Sequence, residues 1–482
     1  MEKTTGIPYK WLALLTVSIG TFMGTLDFSI VNVSFPKLTK VFETDILTVS
    51  WVSIAPLLVS TSLMLIVGRI GDAFGRKKIY IVGSVLFTIG LVFCSLSQSI
   101  FHLILSRIVM GLANAMMIGI GAAIITEAFP DRERGKALGI QGAIVSAGLL
   151  TGPALGGFLL DILGLRAIFF TRLPIGIIGL IMTWFLLKEQ RGSAINSKFD
   201  LWGAVTLFGG ISCMLLFFNP GLKSGFESAP ALIMAASAIL LLSLFVVQEL
   251  KTEDPLVDLN LFRNHIFASG NISLYIMALS ISAQMLLMPF YLIDGAGYSA
   301  MEAGLFLAIT SSISLVVGPT SGWLSDKIGS RILCTLGAAL ICLSLFLFSG
   351  LDNESSNADI LFRFIISGIG IGLFFSPNTS SIMGAAPKDR LGTASAMVNT
   401  IRQLGFSSGI AIVGLIFTAR QLFYADKLSH DNLTSHMLHK LSLIGGYQDT
   451  FLIASIVCSI GIITSLIRFK KELDNKNHRQ IS

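Results

Sequence analysis

The segment Gly68-x-x-x-Asp72-x-x-Gly75-Arg76-Lys77 returns as Gly322-x-x-x-Asp326-x-x-Gly329-x-Arg331, with both glycines and the aspartate at a constant offset of 254 residues. Each copy follows a long apolar stretch. Arg107 and Arg363 lie within apolar stretches of their own, 256 residues apart. A polar loop and an intramembrane arginine that recur at nearly one spacing mark a duplication. It relates the first six apolar stretches to the last six and leaves two between them. Internal repeats of this kind are a hallmark of secondary transporters, which bind substrate near the bilayer midplane between the halves.

Composition agrees. The chain has 482 residues, 53% of them hydrophobic and 13% charged, where a soluble domain has about 25% charged. A bilayer core of roughly 30 Å needs about 20 apolar residues per spanning helix. Fourteen such spans are read along the chain, beginning near Lys10, Thr48, Ile79, His102, Gly135, Ala167, Leu201, Ala229, Ile266, Ala303, Ile332, Ile360, Thr393 and Thr450. Each must be helical, because hydrocarbon cannot satisfy backbone polar groups. The first stretch is too long for a signal-peptide core and has no small-residue cleavage site, so it reads as a retained helix. The expected fold is an all-α polytopic membrane protein. Residues 1–190 form one six-helix bundle, 191–265 a linker with two further spans, and 266–482 a second six-helix bundle.

Fourteen spans put both termini on one side. With that side cytoplasmic, twenty-three lysines and arginines fall in inside segments and seven in outside ones. That is the asymmetry of the positive-inside rule. It accounts for the net charge of +6 without a nucleic-acid partner.

Some charged residues stand where lipid forbids them. Asp27 lies roughly 10 Å below the outer end of the first span, and Arg107 roughly 8–10 Å deep in the fourth, by helical rise. Matched in depth and opposite in sign, they are expected to share the amino-terminal cavity as a proton-coupling pair; a fixed structural ion pair is the alternative. Burial raises a carboxylate's proton affinity and a neighbouring arginine lowers it, so Asp27 is able to alternate. Asn32, one to two turns on, is a second polar group of that helix. Arg402, with Asn399 and Gln403 beside it, must face the protein interior. These three and Asn32 are the candidates for the substrate cavity; for Arg402 the alternative is to stabilise the carboxy-terminal bundle, and for Asn32 an interhelical hydrogen bond alone. Arg172 and Arg363 sit near outer span ends, where their long side chains snorkel to the interface. In the repeated loop, Asp72 is expected to cap a helix or pair with Arg76 or Lys77, a latch on the cytoplasmic face; a solvated turn is the alternative. Gly148, Gly152, Pro153, Gly156 and Gly157 give the fifth span small residues for close helix approach and a proline for a kink. They suit a hinge, a seal between bundles, or helix packing alone.

Several classes are excluded or disfavoured. The five cysteines all lie in apolar stretches, which is no disulfide framework. The histidines lie near surfaces, His430, His436 and His439 in a long outer loop before the last span, and no metal site or cofactor is expected. There is no phosphate-binding Gly-x-x-x-x-Gly-Lys-Ser/Thr loop and no His-Glu-x-x-His, so neither direct ATP drive nor a metalloprotease is indicated.

At these residues the chain resembles the fourteen-helix drug:proton antiporters of the major facilitator superfamily, the multidrug and lincomycin-type resistance exporters. Gly68 to Lys78 is similar to the superfamily's loop 2–3 motif. Leu26-Asp27-x-x-Ile30-Val31-Asn32-Val33-x-x-Pro36 resembles the branch's first-helix motif, Arg107-x-x-x-Gly111 the fourth-helix motif associated with proton transfer, and Gly148 to Gly157 the fifth-helix motif of exporters. Phe199-Asp200-x-x-Gly203, Pro255-Leu256-x-Asp258-Leu259 and Gly392-Thr393-Ala394-Ser395-Ala396 look like further branch patterns. There is one clear departure: branch members usually have Asn before the proline of span six, and this chain has Arg172-Leu173-Pro174. The resemblance implies a major facilitator fold; two bundles in one chain make a monomer sufficient, and the absence of eukaryotic sorting signals points to a bacterial cytoplasmic membrane. The implied activity is proton-coupled efflux of drug-like amphiphiles, neutral or zwitterionic because spans nine to fourteen lack a deep carboxylate. It implies no enzymatic activity. Export of an endogenous metabolite or lipid, and nutrient import on the same fold, are the other readings.

Overall fold

The computed structural model describes residues 8–130, 133–189, 200–224, 227–252, 259–352, 354–387, 391–429 and 434–467. All regular elements among them are helical. They are α1 (Tyr9–Ile30), α2 (Phe35–Val41), α3 (Ile46–Phe74), α4 (Arg76–Ser95), α5 (Ile100–Ala128), α6 (Arg134–Ile162), α7 (Ala167–Phe170), α8 (Leu173–Leu186), α9 (Leu201–Ser224) and α10 (Ala229–Lys251). Then follow α11 (His265–Phe290), α12 (Ala300–Ile328), α13 (Ser330–Phe348), α14 (Asn357–Ala385), α15 (Leu391–Leu428) and α16 (Ser435–Ile467). Among the described residues thirteen helices are long and apolar enough to cross a membrane, and α9 carries a shorter apolar stretch, Trp202–Met214. α8 and α10 leave Phe185, Ile239 and Leu240 exposed, as suits faces whose solvent is hydrocarbon.

The chain divides into two compact units, residues 1–212 with 238–256, and 213–237 with 257–482. In unit 1, α1 packs on α6, and α5 on both α3 and α4; in unit 2, α11 packs on α15, and α14 on both α12 and α13. The duplication is written into the local chemistry of these elements. Asp45 caps α3 by accepting from the Thr48 amide at 2.7 Å. Ser299 caps α12 in a reciprocal box with Glu302. Ser99 caps α5 and Ser356 caps α14. The cap partners stand 254 and 257 residues apart. Each cap satisfies amides that the first helical turn leaves free.

The repeated loop ends α3 and α12 on glycines at positive φ, Gly75 at 108° and Gly329 at 86°. Nothing within 4 Å would meet a side chain at Gly329, so a substitution there isolates the backbone term. Gly329→Ala is expected to destabilise by about 1–3 kcal/mol, the cost of a non-glycine residue in that region. Thermal unfolding in detergent checks it.

Two expectations change here. The last span begins well before Thr450: α16 starts at Ser435 and α15 runs to Leu428. His436 and His439 therefore belong to a helix rather than a long loop; His430 lies outside the described residues. No proline interrupts residues 435 to 449, so the helix extends outward past the apolar stretch that marks the span.

Candidate functional site

Asp27 sits in the sixth turn of α1 with its carboxylate fully inside unit 1, at 1% exposure. Arg107 of α5 reaches it with Nη1, 2.7 Å from Oδ1 and 2.6 Å from Oδ2. Arg172, at the junction of α7 and α8, donates from its own Nη1 to Oδ1 at 2.7 Å. Both guanidiniums are held from behind. Arg107 Nε donates to the Val52 carbonyl of α3 at 3.1 Å, and Arg172 Nε to the Ile168 carbonyl of α7 at 2.8 Å. Four helices thus converge on one carboxylate through charge-assisted hydrogen bonds, the strong kind.

The pairing of Asp27 with Arg107 is the one expected from matched depth. Arg172 is a correction. It does not snorkel: it is 1% exposed and ion-paired to Asp27. Arg172 stands in the turn between α7 and α8, whose first turn holds Pro174, and its side chain enters unit 1. Its signal was present in the sequence as the arginine standing where Asn is usual.

The glycines of α6 serve this same site. A side chain at Gly148 would lie 3.1 Å from the Leu26 amide nitrogen, at Gly152 2.9 Å from the Ile30 amide nitrogen, and at Gly156 2.9 Å from the Ile30 carbonyl oxygen. Ser29 Oγ donates to the Gly148 carbonyl at 3.1 Å. The stripe therefore packs α6 directly onto the turns of α1 that carry Asp27. Pro153 lies inside α6, and Gly157 is buried beside Gly156. Unit 2 holds a counterpart that sequence reasoning missed. Gly405 and Gly409 of α15, each 257 residues on from Gly148 and Gly152, bring α15 to 2.8 Å from the Tyr275 carbonyl and 2.6 Å from the Leu279 carbonyl of α11 by the same measure.

The other candidates are placed as follows. Asn32 is buried, donates to the Phe28 carbonyl at 3.2 Å and accepts from Ser53 Oγ at 3.4 Å. It ties α1 to α3. In unit 2, Arg402 is half-buried and donates from Nη2 to Asn399 Oδ1 at 2.5 Å, with Gln403 next to it on α15. Asn32 and this α15 group belong to different units. In the loop motif, Arg76 pairs with Glu127 at 2.5 Å, and Lys77 donates to the Trp184 carbonyl at 2.8 Å. The side chains of Asp72 and Asp326 lie outside the described residues, and Gly68 lies within α3. Gly322 faces Ser376 of α14, and Arg331 opens α13.

Gln284 carries no motif that marks it in the sequence. It lies on α11, 257 residues after Asp27, donates to Thr310 Oγ1 at 3.0 Å and accepts from Ser367 Oγ at 2.6 Å. Its partners are neutral, and Arg363 instead donates to the Leu347 carbonyl at 2.8 Å. The repeat therefore offers a charged cluster in unit 1 and an uncharged one in unit 2.

A cavity of about 430 Å³ opens within unit 1, lined among others by Phe42, Cys94, Gln98, Arg166 and Phe169.

Residues 17–410 match the family model of the Major Facilitator Superfamily. The chain is 32% identical over 465 residues to the riboflavin transporter RibZ of Clostridioides difficile (strain 630), spanning 96% of this chain and 98% of that protein. It is 30% identical over 409 residues to the multidrug resistance protein Stp of Mycobacterium tuberculosis (strain CDC 1551 / Oshkosh), spanning 85% and 76%. In fold it is similar to a bacterial homolog of the human lysosomal transporter Spinster, with a TM-score of 0.72 at 16% identity over 97% of this chain and 98% of that one. The family match starts in α1, ahead of Asp27, and runs through both copies of the repeat into α15; the chain belongs to the Major Facilitator Superfamily and is a multi-pass membrane transporter of small molecules.

Proposed function

We propose that the protein exports drug-like amphiphilic small molecules across a bacterial cytoplasmic membrane in exchange for protons. The observation that carries this reading is the carboxylate of Asp27, buried and held by Arg107 and Arg172. An ionisable group at that depth is retained at a cost in lipid and marks a transport or proton pathway by default. Asp27 takes a proton from outside after substrate leaves and returns it inside, and the arginines set how readily it does so. The α6 glycines keep the Asp27 helix tightly seated through the cycle. A multidrug resistance protein among the relatives supports export.

The reading carries its architecture with it. Fourteen spans place both termini in the cytoplasm, with bundles at 1–190 and 266–482, a two-span linker at 191–265, and one chain sufficient as a monomer. Asn32, Asn399, Arg402 and Gln403 supply polar contacts to the substrate, and the loop residues Gly68 to Lys77 and Gly322 to Arg331 form a conformational latch.

A second reading has its own support. The riboflavin transporter matches this chain nearly end to end, which favours movement of a flavin-like vitamin, inward or outward. One experiment separates the two. Energised cells and inverted vesicles are loaded with ethidium, a lincosamide, a phenicol or riboflavin, with and without an uncoupler. Uncoupler-sensitive expulsion of drugs supports the first reading. Gradient-dependent accumulation of riboflavin alone replaces it with the second, and no gradient-dependent movement of any of them sinks both.

A further inference from the structure

The charges at Asp27 do not balance. Two guanidiniums, at 2% and 1% exposure, face one carboxylate. The carboxylate that Arg172 meets, that of Asp27, is already held through both oxygens by Arg107, so two cations share one anion. Arg172 Nη2 is buried and has no hydrogen-bond partner among the described residues. A buried guanidinium with a free N–H and only a shared counter-charge is costly. It is also a fork of donors shaped for a small anion.

The surroundings offer a way in. Phe169 lines the 430 Å³ cavity of unit 1, and its ring centroid stands 5.5 Å from the Arg172 guanidinium carbon. The same cavity wall includes Cys94, the thiol that neighbours the cluster, and Arg166, a second cation. Phe169 thus touches both the cavity and the guanidinium that carries the unpaired donor.

We infer that Arg172 is a binding site for a monovalent anion, reached past Phe169 and linked to the protonation of Asp27. The linkage follows from charge. With Asp27 ionised, an anion beside Arg172 brings the cluster to neutrality. A proton added to Asp27 without an anion leaves two bare cations; with an anion bound it leaves one. The anion therefore makes the proton easier to accept, and the proton, by reciprocity, tightens the anion. The anion is either a free halide or the acidic group of the transported molecule; the chemistry at Arg172 is the same.

The test needs no gradient and no knowledge of the substrate, so it is independent of the export reading: efflux failing while anions still bind would sink that reading alone. Purified full-length protein in weak buffer, at a series of pH values from the acid carboxylate range up to neutrality, is moved from sodium sulfate to sodium chloride or sodium benzoate at constant ionic strength. Melting temperature and proton uptake are recorded. In the wild type, a saturable rise in melting temperature is expected together with uptake of up to about one proton per protein, the linkage just described. Asp27→Asn is expected to keep the rise and lose the proton. Arg172→Asn is expected to lose both. Should that variant fail to fold, Arg172→Lys keeps the charge without the fork, and is expected to weaken the anion by about ten-fold. A response to benzoate alone assigns the anion to an organic acid group, and a response to chloride assigns it to a free counter-ion; either supports the site. No saturable response to either anion, or an Arg172 variant that responds as the wild type does, overturns it.

Discussion

Asp27→Asn is expected to bring uncoupler-sensitive transport down to the level of cells lacking the protein, with the variant still present in the membrane. Asparagine keeps the shape of aspartate and still accepts a hydrogen bond from either arginine through its amide oxygen. It cannot gain or lose a proton, so the cycle loses its driving step while the bundle keeps its packing. Transport that remains uncoupler-sensitive at wild-type rates would remove Asp27 from the coupling role. Asp27→Ala is a harsher change. It deletes the acceptor shared by Arg107 and Arg172 and leaves two buried cations together. Breaking a buried pair in this way costs about 3–5 kcal/mol, read as a large drop in melting temperature. Between the arginines, removal of Arg107 is expected to destabilise more than removal of Arg172. Arg107 engages both carboxylate oxygens and Arg172 one; losing either relieves the surplus charge, but losing Arg107 leaves the carboxylate a single contact.

The second large effect is expected from α6. At Gly152 even one methyl group would stand 2.7 Å from Ser29 Cβ and 2.9 Å from the Ile30 amide nitrogen. Ser29 can turn its hydroxyl aside, but the backbone of α1 cannot yield without moving. Overpacking of this kind costs about 1–3 kcal/mol. Here it also displaces the turns that flank Asp27, so transport is expected to fall more steeply than stability. Gly409→Ala meets the Leu279 carbonyl at 2.6 Å and its Cα at 2.8 Å, and is expected to destabilise comparably while leaving the Asp27 cluster intact. Comparing melting and transport in the two variants separates packing from coupling. A Gly152→Ala protein that matches the wild type in both would show that close approach of α6 and α1 is dispensable.

Gln284 and Asp27 carry the repeat to the level of mechanism. At equivalent places on α1 and α11, one unit holds a carboxylate between two arginines and the other an amide between Thr310 and Ser367. Amide and hydroxyl partners bind each other in one protonation state across the physiological range. The asymmetry is consistent with the proposal that proton coupling rests on the Asp27 carboxylate of unit 1.

The sequence by itself determined the class of the molecule. Apolar runs of membrane length force helices, and the recurring glycine loop shows the duplication. Depth along a span can be counted from its end, and that count alone matches Asp27 with Arg107. Depth, however, is only one coordinate. The direction a residue faces around its helix, and the neighbour that helix turns toward, depend on how all the spans pack. Arg172 is near a span end by count, yet from the turn between α7 and α8 it reaches inward to Asp27. The glycines of α6 were legible as a surface for close approach, but only the tertiary structure shows that the helix approached is the one bearing Asp27. Gln284 is an ordinary amide until α11, α12 and α14 bring its partners around it. Charge and hydropathy are properties of residues and can be read in a line; the pairing of charges across helices is a property of azimuth and packing, and that only the folded chain decides.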